Sequence, residues 1–404
     1  MSGVSRVRAL WPALLAAGAA EGARRLLAPR TPALEPVRVD PETYFSAEEI
    51  DRGRRYARPQ LALAMARSAI DLGALALLVR RPPASLRRTW SRPGVGGAVT
   101  AAGLSLTLSI PSLPLRALGR RRAVAVGLDT QSWGAWAGDL AKASAIQTVL
   151  TAGVGAAVVT GMRRYPRAWW APVAAGSVVF GGLLAALAPI VLDPIFNDFE
   201  PLPDGETRSD VLALARAAGV TVGEVYSVDA SRRTTAANAY VTGLGPTKRV
   251  VLYDTLLDRY SRDEIRVVVA HELGHVHHRD VPRTVIYAAI VAPAAALAVQ
   301  HLSWELSDER GTPATLPALA LAAALVTVPI GSIGNRLSRA IERRADHFSL
   351  QLAGAPEAFV SFERTIALQN VADVDPPRWV TRLLASHPPT AERIGAAVAF
   401  AQAG

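Results

Sequence analysis

The stretch 265–280 reads IRVVVAHELGHVHHRD and contains the pattern His-Glu-x-x-His as His271, Glu272 and His275. An apolar run, Val267 to Ala270, leads into it with no Pro or turn signal, and Asp263 and Glu264 follow Ser261, a natural N-cap. The pattern predicts one helix over Ser261 to His278. On a helix, residues four apart share a face, so His271 and His275 can present their imidazoles to a common point. Two neutral imidazoles there make half of a tetrahedral zinc site. Glu272, beside the first ligand, suits the general base toward a zinc-activated water. The bland alternative is a chance match on a surface helix, and a third ligand elsewhere in the chain decides against it.

Working outward, composition narrows the class. Half of the 404 residues are hydrophobic, too many for an ordinary soluble enzyme. With no Cys, disulfides, thiolate ligands and a cysteine nucleophile are excluded, so a zinc site must use His, Asp or Glu. The net charge of +10 is mostly Arg at the ends of apolar runs, which fits membrane flanks and argues against nucleic acid as a partner.

Seven stretches have the length and apolarity of candidate spans: Ala9 to Leu27, Leu61 to Val79, Val95 to Leu118 (broken by Pro111 and Pro114), Ala145 to Met162, Ala168 to Leu192, Thr284 to Gln300 and Ala314 to Ile333. The first, carrying Glu21, Arg24 and Arg25, reads as a short span or an interfacial helix and as an uncleaved anchor. Residues 29–41 form a Pro- and Arg-containing linker, followed by YFSAEEIDRGRRYARPQ, a polar helical segment starting near Ser46 and separate from the span at Leu61. Asp71 lies inside the second span and is expected to turn inward, since membrane-embedded charges face a bundle interior or a watery cavity. Arg-rich connectors fall on alternate sides and leave orientation open.

The expected architecture is mainly α: a polytopic helical bundle of about seven spans with a split zinc metalloprotease domain carrying a small β-sheet. Residues 1–192 form the N-terminal membrane region, 193–283 the first part of the protease domain, 284–335 a membrane hairpin and 336–404 the second part. Within 193–283 the pattern predicts a helix over Ser209 to Ala218, a strand over Glu224 to Val228, and a strand pair flanking the turn Gly243 to Pro246, with Arg249 to Tyr253 as its second member.

The second part opens with SRAIERRADHFSLQLAG, Ser338 to Gly354, an amphipathic helix with Glu342 and Asp346 one turn apart. Glu342 can complete the metal site, and Asp346 can accept the free ring N–H of a ligand imidazole. By itself this helix reads as a solvated charged face among Arg339, Arg343 and Arg344; beside HELGH it reads as the missing ligand. His277 and His278, like His301 and His347, read as solvated residues, because three ligands and an open position for water complete such a site.

HELGH followed, beyond two apolar spans, by ERRAD resembles the type I CAAX prenyl endopeptidases, gluzincin metalloproteases related to the HtpX-like membrane proteases. The resemblance extends through YFSAEEIDRGRRY (44–56), LAPIVLDPIFNDFEPLPDGE (187–206), AANAYVTGLGPTKRVVLYDTLL (236–257) and SHPPTAERI (386–394). It implies one Zn2+ per chain on His271, His275 and Glu342, with Glu272 as base. It further implies Asn238 and Ala239 on an edge strand that pairs with an extended peptide or protein substrate, possibly lipidated or membrane-embedded. His387 would donate to the oxyanion, and Arg393 would hold a nearby carbonyl or carboxylate on the substrate side. By themselves His387 and Asn238 read as turn residues. The expected setting is multi-pass in the cell membrane, with membrane lipid as the other partner. Rival expectations are a quality-control protease of membrane proteins, told apart by broad cleavage of unfolded substrates, and a non-catalytic membrane scaffold, against which the complete residue set argues. A transporter would show paired broken helices with internal symmetry, and no such repeat is present.

Overall fold

A computed structural model describes residues 3–30, 34–88, 90–243 and 245–403. Part of the 29–41 linker and Leu244 of the predicted turn lie outside them. The elements in chain order are α1 (Gly3–Leu27), α2 (Ala47–Arg80), α3 (Pro93–Ala125), α4 (Trp133–Arg164), α5 (Trp170–Val191), α6 (Asp193–Phe196), β1 (Phe199–Pro201), α7 (Glu206–Ala217), β2 (Glu224–Val228), β3 (Ala239–Thr242), β4 (Arg249–Tyr253), α8 (Asp254–Arg259), α9 (Arg262–His277), α10 (Asp280–Leu306), α11 (Leu316–Ala353), α12 (Pro356–Gln369), α13 (Arg378–Leu383) and α14 (Thr390–Ala403).

Among the described residues, six helices are long and apolar enough to cross a membrane: α2 to α5, α10, and α11 with the turn that precedes it. The seventh candidate, α1, belongs to the bundle by packing. Ala16, Ala20 and Ala23 recur along one side of it and are buried against Val291 and Ala298 of α10 and Val326 of α11. Small residues let helix backbones approach closely where apolar solvent offers no hydrophobic drive. Pro111 and Pro114 do not break the third span, which runs unbroken as α3. A membrane helix tolerates Pro where neighbouring helices, Ser or Thr side chains and small local adjustments satisfy the backbone groups it frees.

Two predicted joints are absent. The polar segment from Ser46 and the span after it form the single helix α2, started by a reciprocal capping box between Ser46 and Glu49. At 34 residues it is about 50 Å long, well beyond the hydrocarbon core. Likewise the last span and the ERRAD helix are one rod, α11, of 38 residues. It ends at Gly354, whose positive φ of 62° supplies the left-handed cap.

Outside the bundle a four-stranded sheet has the order β1-β2-β4-β3. β2 and β4 are parallel in register Val225 with Val250, while β1 and β3 flank them antiparallel. The Glu224 to Val228 and Arg249 to Tyr253 predictions match these strands; β1, three residues long, carries too little pattern to be read. The sheet buries Val225, Val250 and Leu252 against Ile265, Val269 and Leu273 of α9 and Phe362 of α12. Helix α9 is thereby held on its apolar side, leaving its histidine side to face α11.

Candidate active site

Helix α9 begins at the predicted N-cap: the Ser261 side chain accepts from the Glu264 N–H, and the Glu264 carboxylate accepts from the Ser261 N–H at 2.8 Å. It ends at Arg279, whose φ of 56° makes a one-residue corner. The next residue, Asp280, already belongs to membrane helix α10, so the metal-binding motif and a span are joined almost rigidly. Gly274 lets α11 approach, because a Cβ there would lie 3.1 Å from the Phe348 ring.

The facing sides of α9 and α11 bring together His271, His275 and Glu342, each offering one ligand atom, all within 4.8 Å of one another. The two Nε2 atoms are 3.1 Å apart, and they lie 3.4 Å (His271) and 3.6 Å (His275) from the Glu342 carboxylate oxygens. A tetrahedral ion with bonds of about 2.0–2.1 Å sets its ligands about 3.3–3.4 Å apart, so these separations match the edges of such a site. The other ring nitrogens are committed elsewhere. Nδ1 of His271 lies 2.9 Å from Asp346, and Nδ1 of His275 lies 3.1 Å from Asp280. With the Nδ1–H groups donating to carboxylates, both Nε2 lone pairs point at one spot, which is the arrangement a cation requires.

Asp346 is the imidazole partner expected from the sequence. Asp280, equally placed on the second histidine, was not singled out, although it stands five residues past His275 in the same stretch. It also accepts from Arg283 at 2.7 Å and from buried Arg344. Behind Asp346 stands Arg393, whose Nε donates to it at 2.9 Å while Nη1 lies 2.6 Å from buried Glu363. The carboxylates that Arg393 holds are therefore the protein's own. Glu363, too, was invisible in the sequence, where it sits in an unremarkable amphipathic helix.

His387 is solvent-exposed, with Nε2 3.5 Å from Glu342. Its Nδ1 lies 2.9 Å from the Ser386 hydroxyl, and donation from that hydroxyl leaves the proton on Nε2, facing the cluster. The loop before it is hung from α11: Asn335 donates to the carbonyls of Leu383 and Leu384, and Arg339 to those of Ala385 and Arg382. His277 and His278 stay outside the cluster, with His277 against the Ala218 carbonyl at 2.8 Å and both rings against Phe348.

Burial sets the protonation tendencies. Glu272, largely buried, has its carboxyl raised above the ordinary range chiefly by burial. Burial works against charging His271, but hydrogen bonds to Asp346 and Glu342 outweigh it and raise the ring to about 10 while no metal is bound. Glu363 is pushed up to about 7, again by burial.

The strand β3 is an edge, hydrogen-bonded on one side only. Tyr253 N–H donates to the Asn238 carbonyl, and Ala239 is opposite Leu252, so by antiparallel alternation the backbone groups of Ala239 face away from β4. The Ala239 side chain is buried in the core, and Asn238 is exposed beside it.

The family described as "Peptidase family M48" matches residues 201–401, and "CAAX prenyl protease N-terminal, five membrane helices" matches 36–198. The chain is 31% identical to the uncharacterized metalloprotease YhfN of Bacillus subtilis over 300 residues, 72% of this chain and 70% of that protein. It is 30% identical to a CAAX prenyl protease 1 homolog of Oryza sativa over 222 residues, 53% of this chain and 52% of that one, so the match spans about half the plant protein. The crystal structure of S. mikatae Ste24p superposes with a TM-score of 0.76 over 95% of this chain and 98% of that one; at 21% identity this speaks to the fold. The two family matches together run through both the bundle and the histidine cluster, and the chain therefore belongs to peptidase family M48, as a multi-pass membrane metalloendopeptidase of the CAAX prenyl protease type.

Proposed function

We propose that the enzyme cuts a peptide bond near the C-terminus of lipid-modified, membrane-associated polypeptides in the cell membrane, using one zinc ion per chain held by His271, His275 and Glu342. The observation that carries the reading is the separation of the three donor atoms, 3.1 to 3.6 Å, combined with a carboxylate behind each imidazole. Zinc, when bound, supplies Lewis acidity toward a carbonyl and toward water at an open fourth position. Asp346 and Asp280 hold the two imidazoles in the Nδ1–H tautomer, and Arg393, anchored by Glu363, keeps Asp346 in place. The substrate adds as a strand to the open edge of β3, with the backbone of Ala239 pairing and Asn238 flanking the cut. Glu272 takes the proton of the attacking water and passes it to the leaving nitrogen; a carboxyl raised by burial is suited to both transfers at neutral pH. His387 donates from Nε2 as charge develops on the carbonyl oxygen.

The preference for a lipidated substrate is supported by the likeness to the plant CAAX prenyl protease 1 homolog and by a site built on α11, which runs on from a span, and α9, which a single-residue corner joins to one. Membrane lipid is the second partner, and nucleic acid has no part. In this reading the protease domain is assembled from 193–283 and 336–404, with 1–192 and 284–335 as its membrane frame. The test is zinc content together with cleavage of a farnesylated C-terminal peptide and its unlipidated twin, by wild type and Glu272→Gln in detergent. Equimolar zinc and cleavage of the lipidated peptide alone, by wild type alone, are expected. Equal cleavage of both peptides moves the role to general turnover of membrane proteins, and a protein with neither metal nor cleavage overturns the enzymatic reading of this site.

A further inference from the structure

Strand β3, whose open edge receives the substrate in the reading above, is not held by the sheet alone. Side chains alternate across a strand, so with Ala239 buried in the cluster against α9, Tyr240 points to the opposite face of the sheet. There its hydroxyl donates to Asp193 Oδ2 of α6 at 3.3 Å. On the same face Arg249 of β4 donates from Nη2 to the Pro189 carbonyl of span α5 at 2.8 Å, with its guanidinium over the Phe199 and Tyr226 rings. This face of the sheet therefore rests on the end of α5 and the short helix that follows it.

The approach to β3 is tied to a different span. Arg233, five residues before Asn238, donates from Nε to Asp139 of α4 at 2.9 Å and from Nη1 to Asn197, the residue after α6, at 2.8 Å. Asp139 also accepts from Gln131 Nε2 at 2.6 Å, and the Arg233 and Asp139 side chains are only 21% and 20% exposed. Beside this pair the backbone runs along the loop between α3 and α4: the Thr130 N–H donates to the Arg233 carbonyl and the Thr235 N–H to the Leu128 carbonyl, both at 3.0 Å. The Thr234 and Thr235 hydroxyls donate to the carbonyls of Leu128 and Gly127. A guanidinium presents its donors in a rigid fork, so holding two acceptors from separate parts of the membrane frame fixes where Arg233 sits. Its ladder-free position, outside the pairing of 239–242 with β4, means that the sheet itself does not require it.

We propose that Arg233 is a positioning residue for the cleavage: locked between Asp139 and Asn197, it fixes the approach to β3 on the membrane frame, so that a substrate paired with Ala239 meets the zinc cluster in one register. Tyr240 acts in the same way from within the strand, through Asp193. The zinc ligands are referenced to the same frame, since α9 turns into a span at Arg279 and α11 runs on from one. Loosening Arg233 should therefore weaken substrate pairing and leave the ligands and Glu272 in place. The proposal rests on the reading of β3 as the substrate edge.

The experiment uses the full chain in detergent, loaded with zinc, and steady-state cleavage of a farnesylated C-terminal peptide. Arg233→Ala should raise KM about five- to tenfold with kcat within about twofold and zinc still equimolar, the backbone bonds to the α3–α4 loop retaining part of the placement. Arg233→Lys, which keeps the charge toward Asp139 and loses the fork to Asn197, should recover part of the loss. Tyr240→Phe, which keeps the ring, should raise KM by a smaller factor. In an Ala239→Pro background Arg233→Ala should add less than about twofold to KM, because both act on the same pairing. Unchanged KM in Arg233→Ala, while Ala239→Pro raises it, overturns the proposal and leaves the edge reading standing; unchanged KM in both removes the edge as the substrate site and the proposal with it. Where Arg233→Ala does not fold, Arg233→Lys and Tyr240→Phe carry the test, and unchanged KM in both overturns it. A joint fall in kcat and bound zinc at constant KM, or effects of Arg233→Ala and Ala239→Pro that simply multiply, also overturns it, since a purely structural role predicts those results.

Discussion

Replacing Asp280 with Ala removes the group that accepts from His275 Nδ1 at 3.1 Å and leaves Arg344, almost fully buried, without its carboxylate. Two separable effects follow. Losing the partner of a ligand imidazole lowers metal affinity about 10- to 100-fold, equivalent to about 1.4–2.7 kcal/mol. Stranding the Arg344 guanidinium, whose Nε already lacks a partner, costs the metal-free fold about 3–5 kcal/mol. The double variant Asp280→Ala with Arg344→Met separates them, because an unbranched apolar chain takes the place of the buried charge. It should recover most of the stability and none of the affinity. Chelator competition reads the zinc affinity, and denaturant unfolding of the chelator-treated protein reads the stability. Wild-type zinc affinity in the double variant would refute the reasoning, for it would mean that His275 is oriented without Asp280.

The remaining predictions are more direct. Glu272→Gln should keep equimolar zinc and lose at least about 10²–10⁴-fold in kcat, and an active variant would remove Glu272 from the base role. The metal-free site carries a proton on His271 up to about pH 10, so zinc uptake at pH 7.5 should release that proton, and affinity should rise with pH, as calorimetry in buffers of different ionisation enthalpy will report. The sign reverses for stability without metal: a raised histidine stabilises fully below about pH 6.5, and this is lost as pH climbs through about 10. Ala239→Pro removes a backbone N–H from the open edge of β3 while leaving the ladder to β4 paired, so KM should rise; the larger ring at a buried position should also lower stability by about 1–3 kcal/mol, and an unchanged KM in the folded variant would place the substrate elsewhere. Gly53→Ala and Gly395→Ala would set a Cβ about 2.0 and 2.1 Å from the carbonyl oxygens of Ala372 and Val37, and each should cost about 1–3 kcal/mol or more in thermal unfolding as α2 and the chain before it are pushed off the catalytic half.

The membrane class was legible in the sequence because hydrocarbon demands long apolar runs, and the candidate spans could be located from them, though not counted: six of the seven meet the length and apolarity of a span as helices. His271, His275 and Glu272 were legible for a similar reason: a single helix fixes spacings of one and four residues without help from the rest of the fold. Glu342 and Asp346 share that regularity and needed only the first motif to give them meaning. The regularity fails at joints. Nothing in residues 334–338 announces that α11 runs on unbroken, because a helix can pass from lipid to water without any change in its backbone. Nor does a corner at Arg279, a residue that seldom takes positive φ, leave a mark.

Partnerships across distant segments were the part that only tertiary structure could decide. Asp280 meets Arg344 across 64 residues, Asp346 meets Arg393 across 47, and Asp71 shares a cavity with Arg116. An isolated Asp reads the same whether it is solvated, braces an imidazole or lines a cavity inside the bundle. The sequence by itself determined which residues are candidate metal ligands and which segments are long and apolar enough to cross a membrane, since both depend on local spacing and apolarity. Which carboxylate stands behind which histidine, which edge of the sheet stays open and which buried charges go unpaired were decided by helix packing, because those facts depend on the angle and register between elements far apart in the chain.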